Sequence, residues 1–254
     1  MKATLNHILN SFDAITLGEM GEVRLMNRID TKFVTTTGRL VRLLEMAGDA
    51  YLAQDIDGAR NMRYDTTYFD TAAFDMYSQH QHGHANRQKI RFRRYVSSQL
   101  QFLEVKTKNN HGRTKKKRME ADDMNLMDTE KHDFLEHYLH YDVNTLIPAI
   151  QNSFDRITLV NRARTERLTI DTGLRFHNLV TGHDRDMGQL VVVELKRDGL
   201  CPSPVLDMLR RLHIHPHGFS KYCMGSALTN EHLCVNRFKR KLIEINKIVN
   251  QQYV

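Results

Sequence analysis

Gln101-Phe102-Leu103-Glu104-Val105-Lys106-Thr107-Lys108 alternates in the manner of a β-strand. Successive side chains of an extended chain point to opposite faces. Leu103 and Val105 therefore share one face, and Glu104, Lys106 and Lys108 share the other. A half-buried strand commonly sets an apolar face against a mixed polar one. Here the polar face is a row of like charges around one carboxylate, an arrangement that is costly unless water or an anion compensates it.

The plan recurs along the chain. In Lys89-Ile90-Arg91-Phe92-Arg93 the cations alternate with Ile90 and Phe92, and Val193-Glu194-Leu195-Lys196 repeats the Glu-x-Lys spacing. Arg28, Asp30 and Lys32 share a face of an earlier stretch. Arg162 and Arg164 follow Leu159, and Arg167, Thr169 and Asp171 alternate with Leu168 and Ile170. Lys and Arg number 37 against 30 Asp and Glu, a formal charge of +7. The excess sits in these strands, whereas a surface built for solubility would spread it.

A chain of 254 residues is read as one large domain over 1–254. Helices are expected within 4–20, at 37–47 with Thr37 as cap and Leu40, Leu43, Leu44 and Ala47 on one side, and within 71–79, 128–140, 203–213 and 232–250. Strands are expected at 28–35, 63–70, 86–96, 101–108, 113–119, two or three within 156–176, and 189–196. Asn109-Asn110-His111-Gly112 reads as a turn. The strands are too many and too charged for a parallel sheet. The expected class is α+β, an antiparallel barrel with helices outside, helices 1–22 and 232–250 packing on it. Cys201, Cys223 and Cys234 show neither metal-ligand spacing nor a disulfide framework. Asn6-His7 interrupts the first apolar stretch, which does not read as a secretory signal. No apolar run is long enough to cross a bilayer, and a cytoplasmic location is expected.

Charged faces on six strands can point outward to water or inward to a shared channel. Pointing inward, they line a wet, positive tunnel whose natural guest is a polyanion: Arg offers a planar fork to phosphate and Lys a mobile point charge. Glu104 and Glu194 would then hold a hard divalent cation bridging phosphate oxygens. Other features have plainer readings. His80-Gln81-His82-Gly83-His84 fits a solvated loop better than a metal site, and Arg237 to Lys241 reads as the solvated face of a packing helix. The basic run from Arg113 to Arg118 fits an exposed edge strand, or a tunnel mouth collecting polyphosphate, rather than a nucleic-acid site.

Six stretches in order carry a resemblance: Met26-Asn27-Arg28-Ile29-Asp30-Thr31-Lys32-Phe33, Lys89-Ile90-Arg91-Phe92-Arg93, Phe102-Leu103-Glu104-Val105-Lys106, Arg167-Leu168-Thr169-Ile170-Asp171, Val193-Glu194-Leu195-Lys196 and Phe219-Ser220-Lys221-Tyr222. From Met26 to Leu228 the chain resembles the VTC catalytic domain, the polyphosphate polymerase branch of the triphosphate tunnel (CYTH-like) superfamily. The resemblance implies an eight-stranded antiparallel tunnel. It implies transfer of the γ-phosphoryl group of ATP to inorganic polyphosphate with Mn²⁺ or Mg²⁺, and ATP, polyphosphate, pyrophosphate or triphosphate as partners. Carried over by position, Arg91, Arg93, Lys106, Arg167 and Glu194 are the catalytic set. Arg28, Lys32, Arg162 (or Arg164), Lys196 and Lys221 bind phosphate, and Glu194 with Glu104 holds the metal. Hydrolytic and cyclase members resemble Glu-x-Glu-x-Lys in the first strand, where this chain has Arg28-x-Asp30-x-Lys32. An Arg there removes a metal ligand and adds a phosphate contact, which favours the polymerase branch. The rivals are a triphosphatase of the same fold and a non-catalytic polyanion-binding module.

Overall fold

The computed structural model describes residues 2–23, 28–110 and 114–250. Met26 and Asn27 of the first motif, and His111, Gly112 and Arg113 of the turn and basic run, lie outside them. The strands are β1 (Asp13–Ile15), β2 (Arg28–Thr36), β3 (Tyr51–Gln54), β4 (Met62–Thr71), β5 (Arg87–Tyr95), β6 (Gln101–Lys108), β7 (Thr114–Glu120), β8 (Leu146–Asn161), β9 (Glu166–Asn178), β10 (Asp184–Asp186) and β11 (Leu190–Asp198). The helices are α1 (Lys2–Asn10), α2 (Leu17–Glu22), α3 (Thr37–Ala47), α4 (Asp75–His82), α5 (Thr129–Tyr138), α6 (Pro204–Arg211), α7 (Lys221–Thr229) and α8 (Lys239–Asn250). Among the described residues no helix is long and apolar enough to cross a membrane.

Eight strands run in the order β2-β11-β9-β8-β4-β5-β6-β7, each antiparallel to its neighbour. Six strand-to-strand steps separate β2 from β6, about 29 Å in a flat sheet. Yet the Lys106 ammonium on β6 lies within electrostatic reach of Lys32 on β2 and Glu194 on β11. The sheet is therefore curled into a half-barrel whose charged faces look inward.

Its outer face carries the grease. Phe33, Ile157, Leu159, Leu168, Ile170, Val193 and Leu195 pack under Leu5 and Leu9 of α1, Leu40, Leu43 and Leu44 of α3, and Val205 and Leu209 of α6. Ile90, Phe92, Leu103 and Val105 pack under Met76 of α4 and Leu135 of α5. The apolar stripe of α3 is the expected one, but its cap is Thr36, whose hydroxyl accepts from the Arg39 N–H. Thr37 is instead the first helical residue and is buried.

A third cluster lies inside the half-barrel. Tyr68, Phe154 and Val192 share the inner face with the charges and pack against Tyr222, Cys223 and Met224 of α7, with α8 behind. Gly225 permits that approach, because a Cβ there would lie 2.5 Å from the Phe176 ring. Helix α7 has no amphipathic stripe to betray it, being buried over most of its length. Strand β8 begins ten residues before the expected 156–176 segment, and β1, β3 and β10 are short additions at the sheet margin.

Candidate active site

Strand register builds the site. Of the carboxylates on the inner face, three anchor the site, each directly opposite a cation of the next strand: Glu194 opposite Lys32, Glu104 opposite Arg91, and Asp171 opposite Arg156. Directly opposed charges of unlike sign attract across a sheet. Each carboxylate also holds a second cation. Glu194 accepts from Lys32 Nζ at 2.8 Å and meets Lys196 Nζ at 2.6 Å. Glu104 accepts from Arg91 Nε at 2.5 Å and Lys116 Nζ at 2.8 Å. Asp171 takes a fork from Arg156 at 2.5 and 2.7 Å and a further bond from Lys221 Nζ at the start of α7.

Between these nodes lie Arg93, Tyr68 and Lys106. Arg93 is 6% exposed, its guanidinium 5.7 Å from the centre of the Tyr64 ring. Arg91 Nη1 donates to the Tyr68 hydroxyl at 3.5 Å. Lys106 makes no ion pair among the described residues, although it faces Lys32, Arg91 and Lys89.

The electrostatics follow from this crowding. Burial opposes ionisation of Glu194, but Lys196 and Lys32 outweigh it and hold the carboxyl far below its usual range. Burial likewise opposes ionisation of Glu104, yet Arg91 and Arg93 bring it to about 2. Lys106 is open to the cavity, but partial desolvation by the surrounding wall and then repulsion from Lys32 and Arg91 hold its ammonium down at about 8. Burial brings Lys221 to about 8 despite Asp171. Burial alone would raise Tyr68, but Arg91 and Arg93 draw its phenol down to about 8.

Lys32, Arg91, Arg93, Lys106, Lys196, Lys221, Glu104 and Glu194 thus share one concave surface. Arg28 and Arg167 lie on the same face at its β2 end, while Arg162 and Arg164 lie beyond it. Arg28 pairs with Asp30 at 2.7 Å near the start of β2. Arg167 turns to the Met20 carbonyl at 2.9 Å, and burial and Arg28 lower its pKa. Arg162 follows the end of β8 and bonds Asp13 at 2.6 Å and the Asp49 carbonyl at 2.7 Å, outside the group. Arg164 has φ of 56° in the β8–β9 turn and reaches Glu19 at 3.4 Å.

The arginine that β8 does contribute is Arg156, which sequence reasoning passed over together with Tyr68; Lys116, read only as part of the basic run at an edge or tunnel mouth, turns out to bond Glu104. Arg156 has the same alternation parity as Arg162, so a reading of β8 begun earlier in the chain would have drawn attention to it. Asp171 was visible as an anion, but its fork with Arg156 depends on register.

A divalent ion can be tested against these donors. Mg²⁺ and similar ions commonly bind one or two carboxylates and take the rest of their shell from phosphates and water. Glu194 fits that use: its side chain is 18% exposed and its partners are flexible lysines that a phosphate can draw away. Glu104 is 1% exposed, with both oxygens taken by Arg91 and Lys116. The described residues gather three ligand-type side chains at His132, Asp133 and Glu136, on the outer helix α5 and not on the inner face.

Residues 27–230 match the model of the VTC domain. The chain belongs to the VTC domain family. Through it the chain joins the triphosphate tunnel superfamily. None of the curated proteins matches this VTC domain. Among solved structures it is similar to a Bacillus halodurans protein described as a candidate adenylate cyclase, at 15% identity and a TM-score of 0.50, covering 77% of this chain and 96% of that one. It is also similar to a Hippeastrum protein described as a candidate adenylyl cyclase with a dominant triphosphatase activity, at 14% identity and a TM-score of 0.47, covering 80% of this chain and 96% of that one. The Bacillus structure shares the fold of this VTC domain.

Proposed function

We propose that this VTC domain is a polyphosphate polymerase that moves the γ-phosphoryl group of ATP onto an inorganic polyphosphate chain within the half-barrel. The observation that carries the reading is the convergence of Lys32, Arg91, Lys106, Arg156 and Lys221 around Glu194 on one concave face. Phosphoryl transfer asks little covalent chemistry of the protein, and positioning with electrostatic stabilisation does most of the work. A terminal oxygen of the chain attacks the γ-phosphorus. The bond from that phosphorus to the β,γ-bridging oxygen breaks, ADP leaves, and the chain is one phosphate longer. Arg91, Arg93 and Arg156 orient the γ-phosphate, while Lys32, Lys106 and Lys221 neutralise its neighbours. Glu194 would hold a Mn²⁺ or Mg²⁺ ion, which when bound shields charge on adjoining phosphate oxygens. Arg28 beside Asp30, and Arg167 further in, would guide anions at the β2 end.

The test is incubation of the protein with ATP and Mn²⁺. Long chains on a gel together with ADP are expected, and Glu194→Gln is expected to lose both. Orthophosphate without chains would assign the tunnel to hydrolysis. Binding of polyphosphate without any turnover would make it a polyanion-binding module.

A further inference from the structure

The inner rows of β5 and β6 do not end at the Arg91–Glu104 pair. Towards α7 the next opposed pairs are Lys89 with Lys106 and then Arg87 with Lys108. Like charges directly opposite one another destabilise a sheet unless something neutralises them. Lys106 is flanked on its other side by Lys116 of β7, whose own ammonium is spent on Glu104. The helices behind α7 add cations to the same end. Arg237 lies so close to Gly83 that a Cβ there would meet its Nη1 at 2.3 Å, and it is near enough to Arg87 to repel it. Lys241 reaches in beside Gly218, where a Cβ would lie 2.9 Å from its Nζ.

His80 marks the centre of this group. Its surroundings include Lys89, Arg87, Lys241 and Lys108, and its Nδ1 lies 3.0 Å from the buried Cys223 thiol. Among the described residues none of Arg87, Lys89, Lys108, Arg237 and Lys241 is ion-paired with a carboxylate, in contrast to the cations around Glu194, Glu104 and Asp171. Arg87 spends one N–H on the His84 carbonyl and Lys89 one on the Ser220 hydroxyl. The opposite end of the same two rows is aromatic: Tyr95 stands 4.9 Å from Tyr64 and 5.8 Å from Phe102, ring centre to ring centre.

We propose that Arg87, Lys108, Arg237 and Lys241 form a second, distal anion subsite, which holds the part of a linear inorganic phosphate chain lying beyond the Glu194 centre. The assignment rests on the polyanion reading of the tunnel and gives the tunnel a direction, with the chain running towards α8. A short anion fills the inner centre alone, whereas a long chain spans both.

Arg237→Ala with Lys241→Ala in the full chain tests it, since both side chains come from outside the sheet and neither belongs to the proposed catalytic group. Binding of tripolyphosphate and of long-chain inorganic polyphosphate is measured by calorimetry. The double variant is expected to lose about tenfold in affinity for the long chain and less than about twofold for tripolyphosphate, because only the long ligand reaches these phosphate contacts. Equal losses for both ligands, or none, overturn the subsite. Lys108→Gln must reproduce the length-dependent loss and serves alone if the double variant does not fold. Single-stranded RNA that competes as well as polyphosphate at equal phosphate concentration would overturn the inorganic-chain assignment. If the wild type makes chains from ATP while the variants bind long chains normally, the subsite fails and the polymerase reading stands. If the wild type binds neither ligand, both fail.

Discussion

Arg156 and Arg162 differ by six residues, share an alternation parity and have opposite fates. Arg156 is held in a fork by Asp171 on the neighbouring strand, while Arg162 is caught by Asp13 after β8 has ended at Asn161. Arg156→Ala is expected to lower turnover by about 10²-fold, the cost of losing one preorganised cation near a developing charge. Arg162→Ala removes a surface pair whose side chains are 52% and 67% exposed. It is expected to leave turnover within about twofold and stability within about 1 kcal/mol. Steady-state kinetics of the two variants checks the assignment, and a reversed ranking sinks it. The pH profile is also set here. Lys106 and Lys221, both near 8, are charged below that pH and neutral above it, and Tyr68 gains a negative charge as it passes the same point. All three changes weaken anion binding as pH rises. Tripolyphosphate affinity is expected to fall roughly tenfold or more between pH 7 and 9, with proton uptake on binding near pH 8 visible in buffers of different ionisation enthalpy. Affinity that is flat over that interval would contradict these assignments.

The element that matters most after the sheet is α7. Its Ser220 cap accepts from the Cys223 N–H and from Lys89, and Lys221 in the next position reaches Asp171. The helix is tied down by the Tyr222 hydroxyl, which donates to the buried Asp70 carboxylate; the same carboxylate accepts the Thr71 N–H at the end of β4 and the Met76 and Tyr77 N–H groups at the start of α4. Tyr222→Phe leaves Asp70 short of one donor. A loss of about 1–3 kcal/mol is expected, the usual penalty for depriving a buried polar group of a partner, and urea unfolding measures it. Strands β2, β4, β5, β6, β7 and β11 were legible from their period of two, and the stripe of α3 from its helical spacing; the first ten residues of β8 and the short β1, β3 and β10 were not. Helix α7 was not, because a helix buried nearly all round carries no amphipathic signal.

At the scale of the whole molecule, the curl brings like charges from both ends of the sheet together. Lys32 across the cavity and Arg91 on the next strand both repel Lys106. An anion that binds only the folded protein relieves that repulsion and shifts unfolding by mass action. Tripolyphosphate at a hundred times its Kd is expected to stabilise the protein by about 2.7 kcal/mol. The rise in Tm should vanish in Lys32→Ala with Lys106→Ala, and a rise that persists there would place the anion elsewhere.

The sequence by itself determined which side chains share a face, since strand alternation has a fixed period. It also carried the chemistry of those faces, a surplus of Lys and Arg around a few carboxylates, and six ordered motifs that identify the family. Tertiary structure alone decided which charge meets which. Arg156 finds Asp171, Lys221 joins them from a separate helix, and Arg162 is turned away to Asp13. Register and curl are the reasons: a cross-strand partner is fixed by the pairing of residues far apart in the chain, and a side chain's destination changes where its strand stops.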